Sequence, residues 1–177
     1  IIGGDSPVAV QSMTATQTQD LEVTARQIEI LEQAGADVIR IAVDNEADVK
    51  ALKFLREKFP KPIFSVDLQE NYKLAPKVAP FVNKIRYNPG HLFHLEKNKS
   101  IRDKVKFIAD AALSNDCAIR IGVNCGSIDP DYKEKFKDDL IEGMIRCAVD
   151  HCEILDDLNF LNYCVSLKDS DFDKVID

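Results

Sequence analysis

Six times along this chain, a short run rich in Val and Ile gives way to a longer stretch with apolar residues at helical spacing. The runs cover residues 7–13, 37–43, 63–68, 82–87, 117–123 and 162–167. Between them, Leu21, Ala25, Ile28 and Leu31 recur every three or four residues, as do Val49, Leu52, Leu55 and Phe59. Ile101, Val105, Ile108 and Ala112 form a third such set, and Ile141, Ile145, Ala148, Cys152 and Leu155 a fourth. A shorter helix is expected over 72–79. Asp20 and Asn45 stand where a helix N-cap belongs, and Gly35 and Pro60 where a helix must stop. Asn88-Pro89-Gly90 reads as a turn, and a polar loop follows the fifth run.

Strands alternating with helices specify βαβ units and a parallel sheet. Two architectures accommodate six such units: a doubly wound sheet or an incomplete (β/α)8 TIM barrel. A complete barrel takes about 250 residues, so a chain of 177 would lack roughly two strands. Residues 1–177 contain no linker and no second domain. The chain opens at Ile1 rather than Met and ends at 172–177 in what reads as the first turn of a helix. The expectation is the N-terminal part of a barrel domain from a longer protein. Its two open sheet edges are predicted to make the isolated piece self-associate.

Charge narrows the function. The 23 Lys and Arg against 30 Asp and Glu give a formal charge of −7, the opposite of a nucleic-acid footprint. No apolar run approaches the ~20 residues of a membrane span. The cysteines are Cys117, Cys125, Cys147, Cys152 and Cys164, and an odd count without a CxxC pair fits thiols kept reduced in the cytoplasm. They read as core fillers. His91 and His94 lack a carboxylate at metal-ligand spacing, and His151 reads as a surface residue. Lys97, Lys99, Lys104 and Lys106 read as solvated charges.

Against that acidic background, three runs each place an arginine inside an apolar strand. They are Ile39-Arg40-Ile41-Ala42-Val43, Ile85-Arg86-Tyr87-Asn88-Pro89 and Ile119-Arg120-Ile121-Gly122-Val123-Asn124. A buried charge must be paired or solvated. Because side chains alternate along a strand, Arg86 shares a face with Asn88, and Arg120 with Gly122 and Asn124. The same parity joins Ser65 with Asp67, and Ser166 with Lys168. If these faces point inward, Arg40, Asp67, Arg86, Asn88, Arg120, Asn124 and Lys168 gather at the C-terminal strand ends, where barrel enzymes act. Gln11, Ser12 and Thr14 follow the first strand and reach the same mouth. Guanidinium forks suit a ligand with several phosphate oxygens. Structural ion pairs are the competing reading, and they would require several buried acids; only Asp67 stands at a matching position.

These residues also resemble a known family. Val10-Gln11-Ser12-Met13-Thr14, Ala34-Gly35-Ala36-Asp37-Val38-Ile39-Arg40, Lys84-Ile85-Arg86-Tyr87-Asn88-Pro89-Gly90, Ile119-Arg120-Ile121-Gly122-Val123-Asn124-Cys125-Gly126-Ser127 and Val165-Ser166-Leu167-Lys168 are similar, in order, to the barrel signature of the 4-hydroxy-3-methylbut-2-enyl diphosphate synthases (the IspG or GcpE family). The resemblance implies an oxidoreductase of the non-mevalonate isoprenoid pathway that reduces 2-C-methyl-D-erythritol 2,4-cyclodiphosphate. It implies substrate binding by Arg40, Arg86, Asn88, Arg120, Asn124 and Lys168, with Asp67 on the aspartate of the third-strand motif. It also implies a 4Fe-4S cluster and a catalytic glutamate, both outside this chain, a ferredoxin or flavodoxin donor, and a homodimer when full-length. Two positions depart from the family pattern: Gln69 stands where a histidine is usual, and His91 where an asparagine is usual. A pterin-type transferase barrel, which lacks its expected motifs here, and a non-catalytic phosphate-binding module are the alternatives.

Overall fold

The computed structural model describes residues 3–171 and 173. The helical turn expected over 172–177 lies outside the described residues, apart from Asp173. Six strands, β1 (Gln11–Met13), β2 (Val38–Val43), β3 (Ile63–Leu68), β4 (Lys84–Tyr87), β5 (Ala118–Asn124) and β6 (Tyr163–Lys168), form one all-parallel sheet in the order β1-β2-β3-β4-β5-β6. Doubly wound sheets reverse their strand order at a switch point. This order never reverses, so the sheet is part of a barrel. Its curl is visible in one contact. Lys84 Nζ on β4 donates to Gln11 Oε1 on β1 at 3.3 Å, whereas three strand spacings in a flat sheet would separate those backbones by about 14 Å.

Helices α1 (Leu21–Gln33), α2 (Glu46–Lys58), α3 (Ala75–Val78), α4 (Pro89–Leu92), α5 (Ile101–Leu113), α6 (Pro130–Lys135) and α7 (Leu140–Asp157) join the strands. The expected caps are present. Asp20 accepts from Val23 N, and Asn45 forms a capping box with Asp48. Gly35 leaves α1 at φ +83, a left-handed conformation that glycine adopts without a Cβ clash. The core lies between the sheet and these helices. Ile39, Ile41, Val43, Phe64, Val66, Leu68, Ile85, Ile119, Ile121 and Val123 pack from the strands against Ile28, Leu52, Leu55, Val105, Ile108 and Leu155. Burying each such side chain contributes about 1.5–3 kcal/mol.

Several expectations are corrected. The first run is paired only over Gln11–Met13. Residues 72–79 are not one helix: Pro76 and Pro80 break the ladder into a 3-10 turn, α3 and a second 3-10 turn. Asn88-Pro89-Gly90 opens α4, with Asn88 as its cap, because Asn before Pro is also a helix-start pair. The polar loop after β5 contains a 3-10 turn and α6, capped by Asp129.

In α7 the buried stripe is Met144, Cys147, Ala148, His151 and Leu155, and Ile145 faces solvent. The stripe is rotated because His151 is not a surface residue. It is 2% exposed, and its Nδ1 meets the Tyr87 hydroxyl at 3.0 Å. Lys104 is buried too, donating to the carbonyls of Leu92 at 2.7 Å and Leu95 at 2.6 Å. It thereby satisfies orphan carbonyls past α4. Cys117 and Cys147 are core fillers as expected, and burial pushes both thiols up to about 12.

Candidate functional site

Register decides which side chains share the concave face. Arg40 pairs with Ser65, and Ser65 with Lys84. Two residues further along, Asp67 pairs with Arg86, Arg86 with Arg120, and Arg120 with Cys164. Partners in a parallel sheet point the same way, so one polar layer lies above another. Barrel interiors are ordinarily filled by Val, Ile and Leu layers. This one is lined with cations and hydroxyls, and the apolar residues of the same strands face the helices.

Asp67 is the hub. Its carboxylate accepts from Arg40 Nη2 through one oxygen and from Arg86 Nη1, at 2.8 Å, through the other. Arg86 Nη2 also donates to the Gly122 carbonyl at 2.8 Å. A Cβ at residue 122 would collide with the Arg86 guanidinium, so Gly122 makes the space in which Arg86 is seated. The competing reading of structural ion pairs thus holds for part of the set, with Arg40 and Arg86 sharing one carboxylate.

It does not hold for the rest. Arg120 Nε donates to Ser166 Oγ at 2.9 Å, and among the described residues no carboxylate lies within ion-pair distance of Arg120 or Lys84. Lys84 is 6% exposed. Burial lowers its pKa; Arg120 and Arg40 push the same way, and Cys164 opposes. Burial likewise lowers the Arg120 pKa. The inner face therefore carries Arg40, Lys84, Arg86 and Arg120 against Asp67, a clear excess of positive charge.

The seven expected residues divide by depth. Arg40 and Arg120 sit within their strands rather than at the ends, so the cluster extends down into the barrel. Asn124 and Lys168 are register partners at the mouth, where Lys168 is exposed. Asn88 is 1% exposed; its amide donates to Ser127 Oγ at 2.7 Å, and its Oδ1 accepts from Gly90 N at 3.1 Å. It ties α4 to the turn after β5, an approach so close that a Cβ on Gly90 would strike the Ser127 carbonyl. The two departures from the family pattern meet: His91 Nδ1 lies 2.7 Å from the Gln69 carbonyl oxygen. His94 pairs with Glu70 beside them.

Strand parity overlooked Lys84, although it lies two residues before Arg86 and hence on the same face. Gln11 was expected to reach the mouth, but contacts Lys84 lower down. A cavity of about 590 Å³ opens at the strand starts beside Val38, Ile63, Lys84, Ala118 and Tyr163. It is far less cationic than the cluster above it, and the chemistry favours the charged face as the site.

An iron–sulfur cluster does not fit the residues present. Cys147 and Cys152 share α7, while Cys117, Cys125 and Cys164 lie apart along the chain, and Cys117 and Cys147 are within the core. Among the described residues, no group of three or more His, Cys, Asp or Glu is placed to hold a metal ion. No helix among them is long and apolar enough to cross a membrane.

Comparison with known proteins agrees with the geometry. The model of the GcpE TIM-barrel domain matches residues 1–177. A 4-hydroxy-3-methylbut-2-en-1-yl diphosphate synthase (flavodoxin) of Rhodopirellula baltica is 53% identical over 176 residues, 99% of this chain and 46% of that protein. The enzyme of the same name from Helicobacter pylori strain G27 is 40% identical over 99% of this chain and 46% of its own. That of Pasteurella multocida is 40% identical over 96% and 44%. This chain spans about half the length of the curated relatives it matches. Taken with a parallel half-barrel whose inner face is cationic, these matches mean that the chain belongs to the GcpE TIM-barrel domain family.

Proposed function

We propose that this chain is the substrate-holding part of an enzyme that reduces 2-C-methyl-D-erythritol 2,4-cyclodiphosphate to 4-hydroxy-3-methylbut-2-enyl diphosphate, in isoprenoid precursor synthesis. One observation carries the reading. The concave face gathers Arg40, Lys84, Arg86 and Arg120 around the single carboxylate of Asp67, an arrangement that a multiply charged anion completes. The names of the relatives supply the product, 4-hydroxy-3-methylbut-2-en-1-yl diphosphate, and support flavodoxin as the electron donor.

The residues have separable roles. Arg86, clamped by Asp67 and the Gly122 carbonyl, presents a fixed donor fork. Arg40 lies on the other side of the same carboxylate. Arg120, without a carboxylate partner among the described residues, is available to phosphate oxygens. Lys168 and Asn124 guard the mouth, and Asn88 braces its rim through Ser127. Opening the cyclic diphosphate adds negative charge to the released phosphate. Donors fixed in advance stabilise that charge without reorganisation, which is the largest electrostatic contribution a site of this kind makes.

A 4Fe-4S cluster held by residues outside this chain would supply the electrons, in an assembly we take to be a cytoplasmic homodimer. The decisive experiment is Arg120→Ala in the full-length protein, with calorimetric titration of the cyclic diphosphate and of inorganic pyrophosphate. Loss of one charge-assisted contact should weaken binding of the cyclic compound by about tenfold or more. Unchanged binding removes Arg120 from the site. Equal affinity for pyrophosphate in the unmodified protein would point to a general phosphate-binding module instead.

A further inference from the structure

Beneath the level of Asp67 and Arg86, the inner face holds a second group of donors, of which only Arg40 Nη2 has a carboxylate partner among the described residues. Arg40, Ser65 and Lys84 occupy one register row on three adjacent strands. Ser65 is 1% exposed, and its hydroxyl has no hydrogen-bond partner. Arg40 Nε is buried and likewise unpartnered, although its Nη2 is engaged by Asp67. Lys84 is the third. Among the described residues its ammonium touches only the neutral amide oxygen of Gln11, at 3.3 Å. A cavity of about 460 Å³ adjoins the row at Lys84, where Gln11, Arg120 and Cys164 line it together with residues of the 3–9 segment.

These groups share one property: apart from the Gln11 oxygen at Lys84, each offers a hydrogen to an acceptor that the described residues do not provide. A buried ammonium beside two guanidiniums, with no carboxylate of its own, opposes folding. A buried hydroxyl left unpaired does so as well. A structural lysine would be expected to have an acidic partner here, as Arg40 and Arg86 do. What would satisfy all three at once is an oxyanion small enough to sit between adjacent strands.

We propose that Lys84, Ser65 and the Nε of Arg40 form an inner anion subsite that holds one phosphate group of the ligand, one layer below the Asp67–Arg86–Arg120 row. This rests on the diphosphate-binding reading and refines it. The upper row takes one phosphate and the lower row the other, so the ligand lies along the barrel axis instead of across the mouth. Lys84 is then a binding residue for the second phosphate.

The test uses the full-length protein, with the cyclic diphosphate and inorganic phosphate as titrants and thermal unfolding measured in parallel. Lys84→Met removes the charge and keeps most of the side-chain length. It should weaken the cyclic diphosphate by about tenfold or more, the worth of a charge-assisted contact. The midpoint of unfolding should stay level or rise, because a repelled cation has left the interior. Lys84→Arg should recover part of the affinity, and Ser65→Ala should weaken it by a smaller factor. Inorganic phosphate separates the sources: if free phosphate binds the unmodified protein and competes with the cyclic compound, and Lys84→Met abolishes that competition, the subsite accepts a lone oxyanion as well as a ligand-borne one. Affinity within twofold of the unmodified protein, or a large fall in the unfolding midpoint with unchanged affinity, overturns the proposal and makes Lys84 structural, paired with an acid from the remainder of the protein. If the unmodified protein does not bind the cyclic diphosphate at all, it is the function proposed above that fails.

Discussion

Acidification should loosen the wall behind the site, through His151. Its imidazole is buried against the Tyr87 hydroxyl, and burial lowers its pKa from 6.5 to about 4, with Asp150 opposing. Tyr87 lies between Arg86 and Asn88 in sequence, so this contact holds the helix side of the strand that carries the site. The folded state keeps the ring neutral where the unfolded chain would protonate it. The stabilisation is therefore complete above pH 6.5 and is lost as pH falls toward 4. Linkage between those two pKa values gives a loss of about 2 kcal/mol by pH 5 and about 3 kcal/mol by pH 4. Other groups titrate in the same window, so the assay is a difference. Urea unfolding of the unmodified protein and of His151→Gln is followed at pH 7.5, 6 and 5, as matched pairs. Glutamine can accept from Tyr87 but does not titrate. The unmodified protein should be the more stable at pH 7.5, and its margin should shrink by about 2 kcal/mol at pH 5. A margin that stays constant across the series would refute the buried neutral imidazole. So would a nuclear magnetic resonance titration in which the ring protonates near pH 6.5.

Three further outcomes follow from the inner face. Asp67→Asn leaves two guanidiniums adjacent without their shared counter-charge and should destabilise the protein by about 3–5 kcal/mol; millimolar pyrophosphate should restore part of this in thermal unfolding, and a loss under 1 kcal/mol would count against the hub. Gly122→Ala displaces Arg86 from its seat, so it should destabilise by about 1–3 kcal/mol and weaken the cyclic diphosphate measurably by calorimetry; wild-type affinity would show that Arg86 can bind from another position. Residues 1–177 expressed alone should self-associate in sedimentation velocity, because β1 and β6 each present an unpaired edge; a monodisperse monomer contradicts this.

The strands and long helices were readable because their signals are local. Val and Ile runs of strand length, Asp20 and Asn45 as caps and Gly35 as a stop need no tertiary context. The same parity rule places Arg86 and Arg120 on one face. What stayed hidden depends on partners distant in sequence. His151 looks like a surface residue until Tyr87, 64 positions away, supplies its hydrogen bond. Lys104 looks solvated until the carbonyls of Leu92 and Leu95 are placed over it. Asn88-Pro89-Gly90 is ambiguous between turn and helix start, and the choice is made by the packing of Gly90 on Ser127. Lys84 was missed for another reason. Its parity was available, but a lysine at a strand start reads as solvent-facing, and only the curl of the sheet carries it inside.

The segregation of the two sheet faces has an evolutionary consequence. Cohesion of this half-barrel resides almost wholly in the layer facing the helices, where Ile39, Phe64, Ile85 and Ile119 are fully enclosed. Away from the Asp67 hub that anchors Arg40 and Arg86, the lining of the hollow contributes little to holding the chain together, and at Lys84 it works against it. Such a lining is free to drift: exchange of one cation or hydroxyl there alters which ligand is welcomed without endangering the scaffold, so descendants of this architecture can change substrate by a handful of inward-facing replacements.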